Sequence, residues 1–143
     1  MTRKKGFGYC EICRKQFGYY MIHNGFNDSG YAYCDKCGQT CLLNLWHIPK
    51  GIPEGIQKEI HVGLIPESAE AFLNPCACGG TFRREAYPRC PHCNSILSPK
   101  ARKYIEENAR NAQKGWMENW RGIMCIIIED KVLHDVWKEP TKQ

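Results

Sequence analysis

A chain of 143 residues, 43% hydrophobic and 24% charged, is long enough for one domain or for two small units sharing a modest core. No run of apolar residues approaches a membrane span, and the basic start, Arg3, Lys4 and Lys5, has no apolar stretch of signal-peptide length behind it. A cytoplasmic chain with no membrane partner is expected, and the formal charge of +5 first suggests a nucleic acid.

In chain order, the first unit expected is residues 1–46. Two close cysteines, Cys10 and Cys13, precede an aromatic and branched run over 16–23. A Gly/Asn/Asp/Ser cluster over 24–30, a second short run over 31–33, and the pair Cys34 and Cys37 follow. That pattern predicts two strands joined by a longer hairpin loop, returning the second cysteine pair to the first. Residues 47–74 read as a helical connector. Ile48, Ile52, Ile56 and Ile60 recur every four residues, and Pro53 and Gly63 bound a short amphipathic helix over 53–62. A second helix is expected over 66–73, before Pro75.

Residues 75–97 hold Cys76 and Cys78, a predicted strand over 81–87, and Cys90-Pro91-His92-Cys93. In the last unit, 98–143, Ser98 and Pro99 form an N-cap and first-turn pair for a helix over 100–113. Ala101, Tyr104, Ile105, Ala109 and Ala112 share one face of it, and Gly115 ends it. The stretches 122–128 and 132–137 then predict a β-hairpin whose continuous apolar strand is covered on both faces. The fold class expected is α+β in one compact body.

Eight of the ten cysteines fall into the four pairs. Two sulfurs separated by one tight turn can hold one side of a tetrahedral metal ion, and a second turn supplies the other side. In a reducing compartment such clusters are ligands rather than disulfides. The residue after a thiolate turn often takes a left-handed conformation, which Gly38, Gly79 and Asn94 suit; Arg14 does not match, and Cys76-Ala77-Cys78 is one residue shorter than the others. Four thiolates on one Zn(II) carry −2, so two such sites would bring the formal +5 down to about +1 and nearly remove the electrostatic case for nucleic acid.

These paired turns with hairpin signals between them resemble the zinc-ribbon class, with its rubredoxin-like knuckles, seen twice. The resemblance covers about half of the chain and implies two structural Zn(II) ions. By it, Cys10, Cys13, Cys34 and Cys37 hold the first metal and Cys76, Cys78, Cys90 and Cys93 the second. An interleaved set joining the first pair to the third is the alternative. Zinc ribbons serve transcription factors, ribosomal proteins, enzyme subunits and adaptors, so the resemblance speaks to metal and fold rather than activity.

A catalytic zinc keeps an open position, which four thiolates do not leave. Cys41, four residues after Cys37, could replace a ligand or act as a nucleophile, although a spare thiol more often packs as a small hydrophobe. Cys125 reads as core. His92 lies inside the last cysteine turn as a turn residue or a donor to sulfur. His23, His47, His61 and His134 stand apart, and no nucleophile elbow, phosphate loop or metalloprotease helix is present. The best nucleic-acid patch is Arg83, Arg84, Tyr87 and Arg89, supported by Lys100, Arg102 and Lys103 and interrupted by Glu85, Glu106 and Glu107. Trp116, Trp120 and Trp137 could be a partner hot spot but fit core better. The function expected is a non-enzymatic zinc protein that binds another protein as adaptor, regulator or inhibitor. A nucleic-acid-binding ribbon and a thiol-dependent enzyme using Cys41 are the alternatives.

Overall fold

A computed structural model of the chain describes residues 2–23, 29–60, 63–112, 124–129 and 131–138. Strands β1 (Thr2–Tyr9) and β2 (Gln16–His23) pair antiparallel, from Thr2 opposite His23 to Tyr9 opposite Gln16, so residues 10–15 form the tip of a tight hairpin. Strands β3 (Ser29–Cys34) and β4 (Thr40–Asn44) pair in the same way, and residues 35–39 form their tip. The sequence had suggested that the runs 16–23 and 31–33 pair with each other. They lie in different sheets instead, because each strand meets its partner directly across a cysteine turn. The turn is the hairpin connection itself, and the intervening 24–28 lies outside the described residues.

The connector carries α1 (Glu54–Glu59), shorter than predicted, and β5 (Gly63–Leu64), which runs parallel to β3. Its isoleucines behave as their spacing requires: Ile52 and Ile60 are buried, and Ile48 and Ile56 pack against the same cluster. Residues Glu67–Phe72 wind as a 3-10 helix rather than an α-helix. Pro66 before it and Pro75 after it leave too little chain to repay α-helix nucleation. The predicted strand over 81–87 shrinks to β6 (Phe82–Arg83), antiparallel to β3.

Helix α2 (Pro99–Ala112) starts where Ser98 and Pro99 say it should: the Ser98 hydroxyl accepts from the Ala101 N–H at 3.0 Å. Ile105 is buried and Ala101 packs beside it, whereas Tyr104 is exposed; the side chains of Ala109 and Ala112 and the predicted stop at Gly115 lie outside the described residues. The final two strands, β7 (Met124–Ile128) and β8 (Val132–His134), do not pair as the predicted hairpin. β7 lies antiparallel beside β2 in a sheet ordered β1-β2-β7, and β8 runs parallel to β4 in a second sheet ordered β5-β3-β4-β8, with β6 also on β3. A left-handed Glu129 (φ 48°) turns the chain out of the first sheet. The cause is β7's composition: with apolar side chains on both faces it must be covered twice, and only a place between two layers provides that.

The layers follow from strand alternation. Phe17, Tyr19 and Met21 of β2, with Ile126 and Ile128 of β7, face Leu97 and Ile105 at α2. On the opposite face Tyr20, Cys125 and Ile127 meet Tyr31, Tyr33 and Leu42 of the second sheet. That sheet's far face, Ala32, Cys41 and Leu43, is covered by Ile52, Ile60, Ile65, Leu73, Phe82 and Trp137. Fully burying a side chain of this size stabilises by about 1.5–3 kcal/mol, so each interface is worth several such contributions before chain entropy is subtracted. Two hydroxyls also bond to the backbone of β7: Tyr33 accepts from the Ile126 N–H at 3.0 Å, and Thr40 donates to the Ile126 carbonyl at 3.2 Å. The fold is α+β in one compact body, and no described helix is long and apolar enough to cross a membrane.

Candidate metal centres

Each cysteine pair sits on a turn whose hydrogen bonds repeat. In three of them the first cysteine's N–H donates to the carbonyl five residues on, and its carbonyl accepts from the N–H four residues on: Cys10 with Lys15 and Arg14, Cys34 with Gln39 and Gly38, Cys90 with Ser95 and Asn94. The residue four on is left-handed each time: Arg14 at φ 61°, Gly38 at 73°, Asn94 at 62°. Arg14 therefore adopts the conformation that its side chain seemed to forbid. The shorter Cys76-Ala77-Cys78 turn closes the same loop one residue earlier, with Cys76 bonded to Gly79 and Gly80 and with Gly79 at φ 93°. Backbone N–H groups also point at sulfur, from Lys36 to Cys34, Gly80 to Cys78 and His92 to Cys90, each at 3.4 Å.

The pairing of turns is nested, which corrects the sequence reading. Cys10, Cys13, Cys90 and Cys93 converge in one quartet, the outer centre, and Cys34, Cys37, Cys76 and Cys78 in another, the inner centre. Neither the local pairing of consecutive turns nor the alternative of first with third is formed. The physical reason is the sheet division: the first and second turns cap hairpins in different sheets, so they cannot share an ion. The third turn leads into β6 and is carried beside the tip of β3. The fourth, closed as a miniature hairpin by the Arg89–Ile96 bridge, ends at the start of α2, whose Ala101 and Ile105 pack on the first sheet.

The quartets have the dimensions of a bound ion. Across the outer centre the sulfurs of Cys10 and Cys93 are 3.6 Å apart and those of Cys13 and Cys90 3.7 Å; across the inner centre Cys34 and Cys78 are 3.4 Å apart and Cys37 and Cys76 3.6 Å. Four bonds of about 2.3 Å to a tetrahedral ion place sulfurs about 3.8 Å from one another, whereas a disulfide needs about 2.05 Å. All four ligand atoms of each quartet lie within 4.8 Å of one another. The residues present therefore fit a divalent ion in each.

Burial and charge agree with that fit. The first cysteine of every pair is buried, and the second lies nearer solvent, with Cys78 and Cys93 exposed. Burial pushes the Cys37 and Cys76 thiols up and takes Cys90 to about 12. Hydrogen bonds from the Ser95 side chain and backbone bring Cys93 down to about 6. At Cys78 burial works upward, but the Gly80 N–H and the neighbouring thiols outweigh it and bring that group down to about 7. Sulfurs this close cannot all ionise alone, and a cation at the centre would let four thiolates coexist.

The remaining cysteines are packing residues. Cys41 is fully buried in β4 with its thiol pushed up by burial to about 12, and Cys125 is fully buried in β7 with its thiol also raised by burial. Neither has the exposed, electropositive setting of a reactive thiol. His92 places its ring Nε2 2.9 Å from the Gln16 carbonyl and joins no quartet. Trp137 is buried in the core, while Trp116 and Trp120 lie outside the described residues. Of the expected basic patch, Arg83, Arg84 and Tyr87 are exposed, and its residues also make contacts within the chain. Arg83 pairs with Asp35 and Glu85, Arg84 donates to the Leu64 and Ile65 carbonyls, and Arg102 lies 4.0 Å over the Tyr87 ring. Arg89 reaches in both directions, its Nη1 2.9 Å from the Asn94 carbonyl and its Nη2 3.0 Å from the Asp35 carbonyl. Sequence reasoning missed this bridging role; the only available signal was that Arg89 immediately precedes a cysteine turn.

The family model described as a domain of unknown function (DUF8255) matches residues 8–99, a span that takes in all eight quartet cysteines and stops at the first residue of α2. No curated protein and no solved structure matches the chain.

Proposed function

The chain belongs to the DUF8255 family, and from its two sulfur quartets we propose that it is a structural zinc protein, without catalytic activity of its own, that binds another protein in the cytoplasm. The observation that carries the reading is the closed set of four sulfurs at 3.4–3.7 Å across each centre. A tetrahedral ion held by four thiolates has no position left for water or substrate, so its contribution is to folding. All-thiolate ligation in a tetrahedron favours zinc over harder ions such as magnesium or calcium. With the metals holding shape, the functional asset is surface. Phe7 and Tyr9 on β1 and Ile12 in the turn that follows are exposed, Phe7 by 70% and Ile12 by 71%, and exposed large apolar side chains on one strand and its turn support a protein contact.

Native mass spectrometry of the chain isolated from its own cells tests each part. The expected result is two zinc ions per chain and a stoichiometric protein partner that Phe7→Ala with Ile12→Ala releases while both zinc ions stay. A chain with no bound metal overturns the zinc assignment. Retained nuclease-sensitive nucleic acid in place of a protein overturns the partner assignment.

A further inference from the structure

We propose that the two centres load metal as one cooperative unit, inner centre first, and that Arg89 is the positioning residue that couples them; this rests on the metal-binding reading above. Two independent features lead there, one in the connectivity and one in the contact between turns.

Nesting makes the loops interdependent. The shortest loop the inner centre closes runs 39 residues, from Cys37 to Cys76, and that of the outer centre 77, from Cys13 to Cys90. Since the closure penalty grows as the logarithm of loop length, the shorter loop favours the inner centre by about threefold. Closing it also removes most of the outer loop, leaving only the chain from 13 to 34 and from 78 to 90 to be ordered, about 33 residues. The second ion then binds about three- to fourfold more tightly on this ground alone.

The second feature is direct. The Cys90–Cys93 turn of the outer centre rests on the Cys34–Cys37 turn of the inner one. Arg89 Nη2 donates to the Asp35 carbonyl at 3.0 Å while its Nη1 holds the Asn94 carbonyl at 2.9 Å, and Asn94 Nδ2 donates to the Lys36 carbonyl at 3.0 Å. Gly38 permits the approach: a Cβ there would lie 2.5 Å from the Arg89 backbone nitrogen. Both acceptors on the inner side, the Asp35 and Lys36 carbonyls, lie on the turn between Cys34 and Cys37, which an ion shared by those two sulfurs would hold in place. Ordering one turn therefore builds the surface on which the other docks. Loop shortening and these bonds together give a coupling of about tenfold, and linkage makes it the same in both directions.

The test is a zinc(II) titration of the reduced, metal-free full-length chain against a competing chelator, followed by native mass spectrometry with alkylation mapping of the one-zinc species. At half loading the one-zinc form should be about a quarter of the chains, against about half for uncoupled sites, with Cys34, Cys37, Cys76 and Cys78 protected and Cys10, Cys13, Cys90 and Cys93 alkylated. Arg89→Ala and Asn94→Gly should raise that fraction towards a half. Asn94→Gly keeps the left-handed turn and removes only the amide, so it remains informative if Arg89→Ala fails to fold. Lys58→Ala, an exposed change on α1 outside both cysteine quartets, should leave the fraction at a quarter. A one-zinc fraction of half in the unaltered chain, protection of the outer set first, or an Asn94→Gly chain that behaves as the parent overturns the coupling. Failure to bind any zinc overturns the metal reading itself, whereas two zinc ions bound independently overturn only this inference.

Discussion

The inner and outer centres use the same turn and differ in how their backbones accommodate it. At the inner centre the left-handed positions are Gly38 and Gly79, and Gly80 lies so close to sulfur that a Cβ would fall 2.5 Å from Cys34 Sγ. At the outer centre the left-handed positions are Arg14 and Asn94, residues with side chains. The inner centre thus relaxes strain by using glycine, whereas the outer one carries strain of about 1–2 kcal/mol at Arg14, held in a turn closed by the bonds of Cys10 to Arg14 and Lys15. One motif can be sterically exact at one site and merely affordable at the next.

The largest way to break the comparison is to remove the metals. Chelation of the reduced chain should abolish the fold of both halves, since binding at a structural tetrathiolate site is of the order of 10 kcal/mol and exceeds the stability of a domain this small. Far-UV and near-UV circular dichroism before and after chelator, with recovery on zinc addition, checks this; an unchanged spectrum would remove metal from the folding account. Next is Gly80→Ala, which drives a methyl group against Cys34 Sγ and Lys36. It should displace the inner ion and lower stability by about 3 kcal/mol, read as a drop in bound zinc from two to one or fewer.

A middle-sized effect separates the sheets rather than the centres. Tyr33→Phe leaves the buried Ile126 N–H without its acceptor and should cost about 2 kcal/mol at neutral pH by urea denaturation. The pH dependence carries a sign. Burial raises the Tyr33 phenol well above its ordinary value of 10.0, so in the folded chain it stays neutral where the unfolded chain ionises. Its contribution is therefore whole below about pH 10 and is lost as pH rises beyond that. The cost of Tyr33→Phe should shrink in alkaline solution; a constant difference would show that Tyr33 is not held neutral by burial. The smallest effect sharpens the contrast between centres. Arg14→Gly relieves the left-handed strain at the outer turn and should raise stability by about 1 kcal/mol, a shift of several degrees in Tm. No gain would mean that the Arg14 side chain contributes a compensating contact.

Much of the molecule was legible residue by residue where the information is local. The turn at each cysteine pair, the Ser98 cap, the isoleucine spacing in the connector and the double burial of β7 each follow from a few neighbouring side chains and their allowed dihedral angles. Even the exception at Arg14 is a local failure, in which the hydrogen-bonded closure of the cysteine turn overrides a side-chain preference. The hairpin partners are not legible for a related reason: residues 16–23 and 31–33 look like partners from composition, but a cysteine turn is itself a two-strand connection, and the glycine-interrupted, basic β1 carries little strand signal of its own.

The sequence by itself determined that eight cysteines sit on four turns able to hold metal, and that Gly38, Gly79 and Asn94 suit the left-handed position of three of them. Only the tertiary structure decided which turns share an ion. Any two such turns present equivalent pairs of sulfur, so spacing along the chain cannot choose between partners. The choice was made when the hairpins β1-β2 and β3-β4 joined different sheets, separating Cys10 and Cys13 from Cys34 and Cys37, and when the third and fourth turns were carried back to them by β6 and α2. Long-range packing of apolar faces, not the ligands themselves, set the nesting.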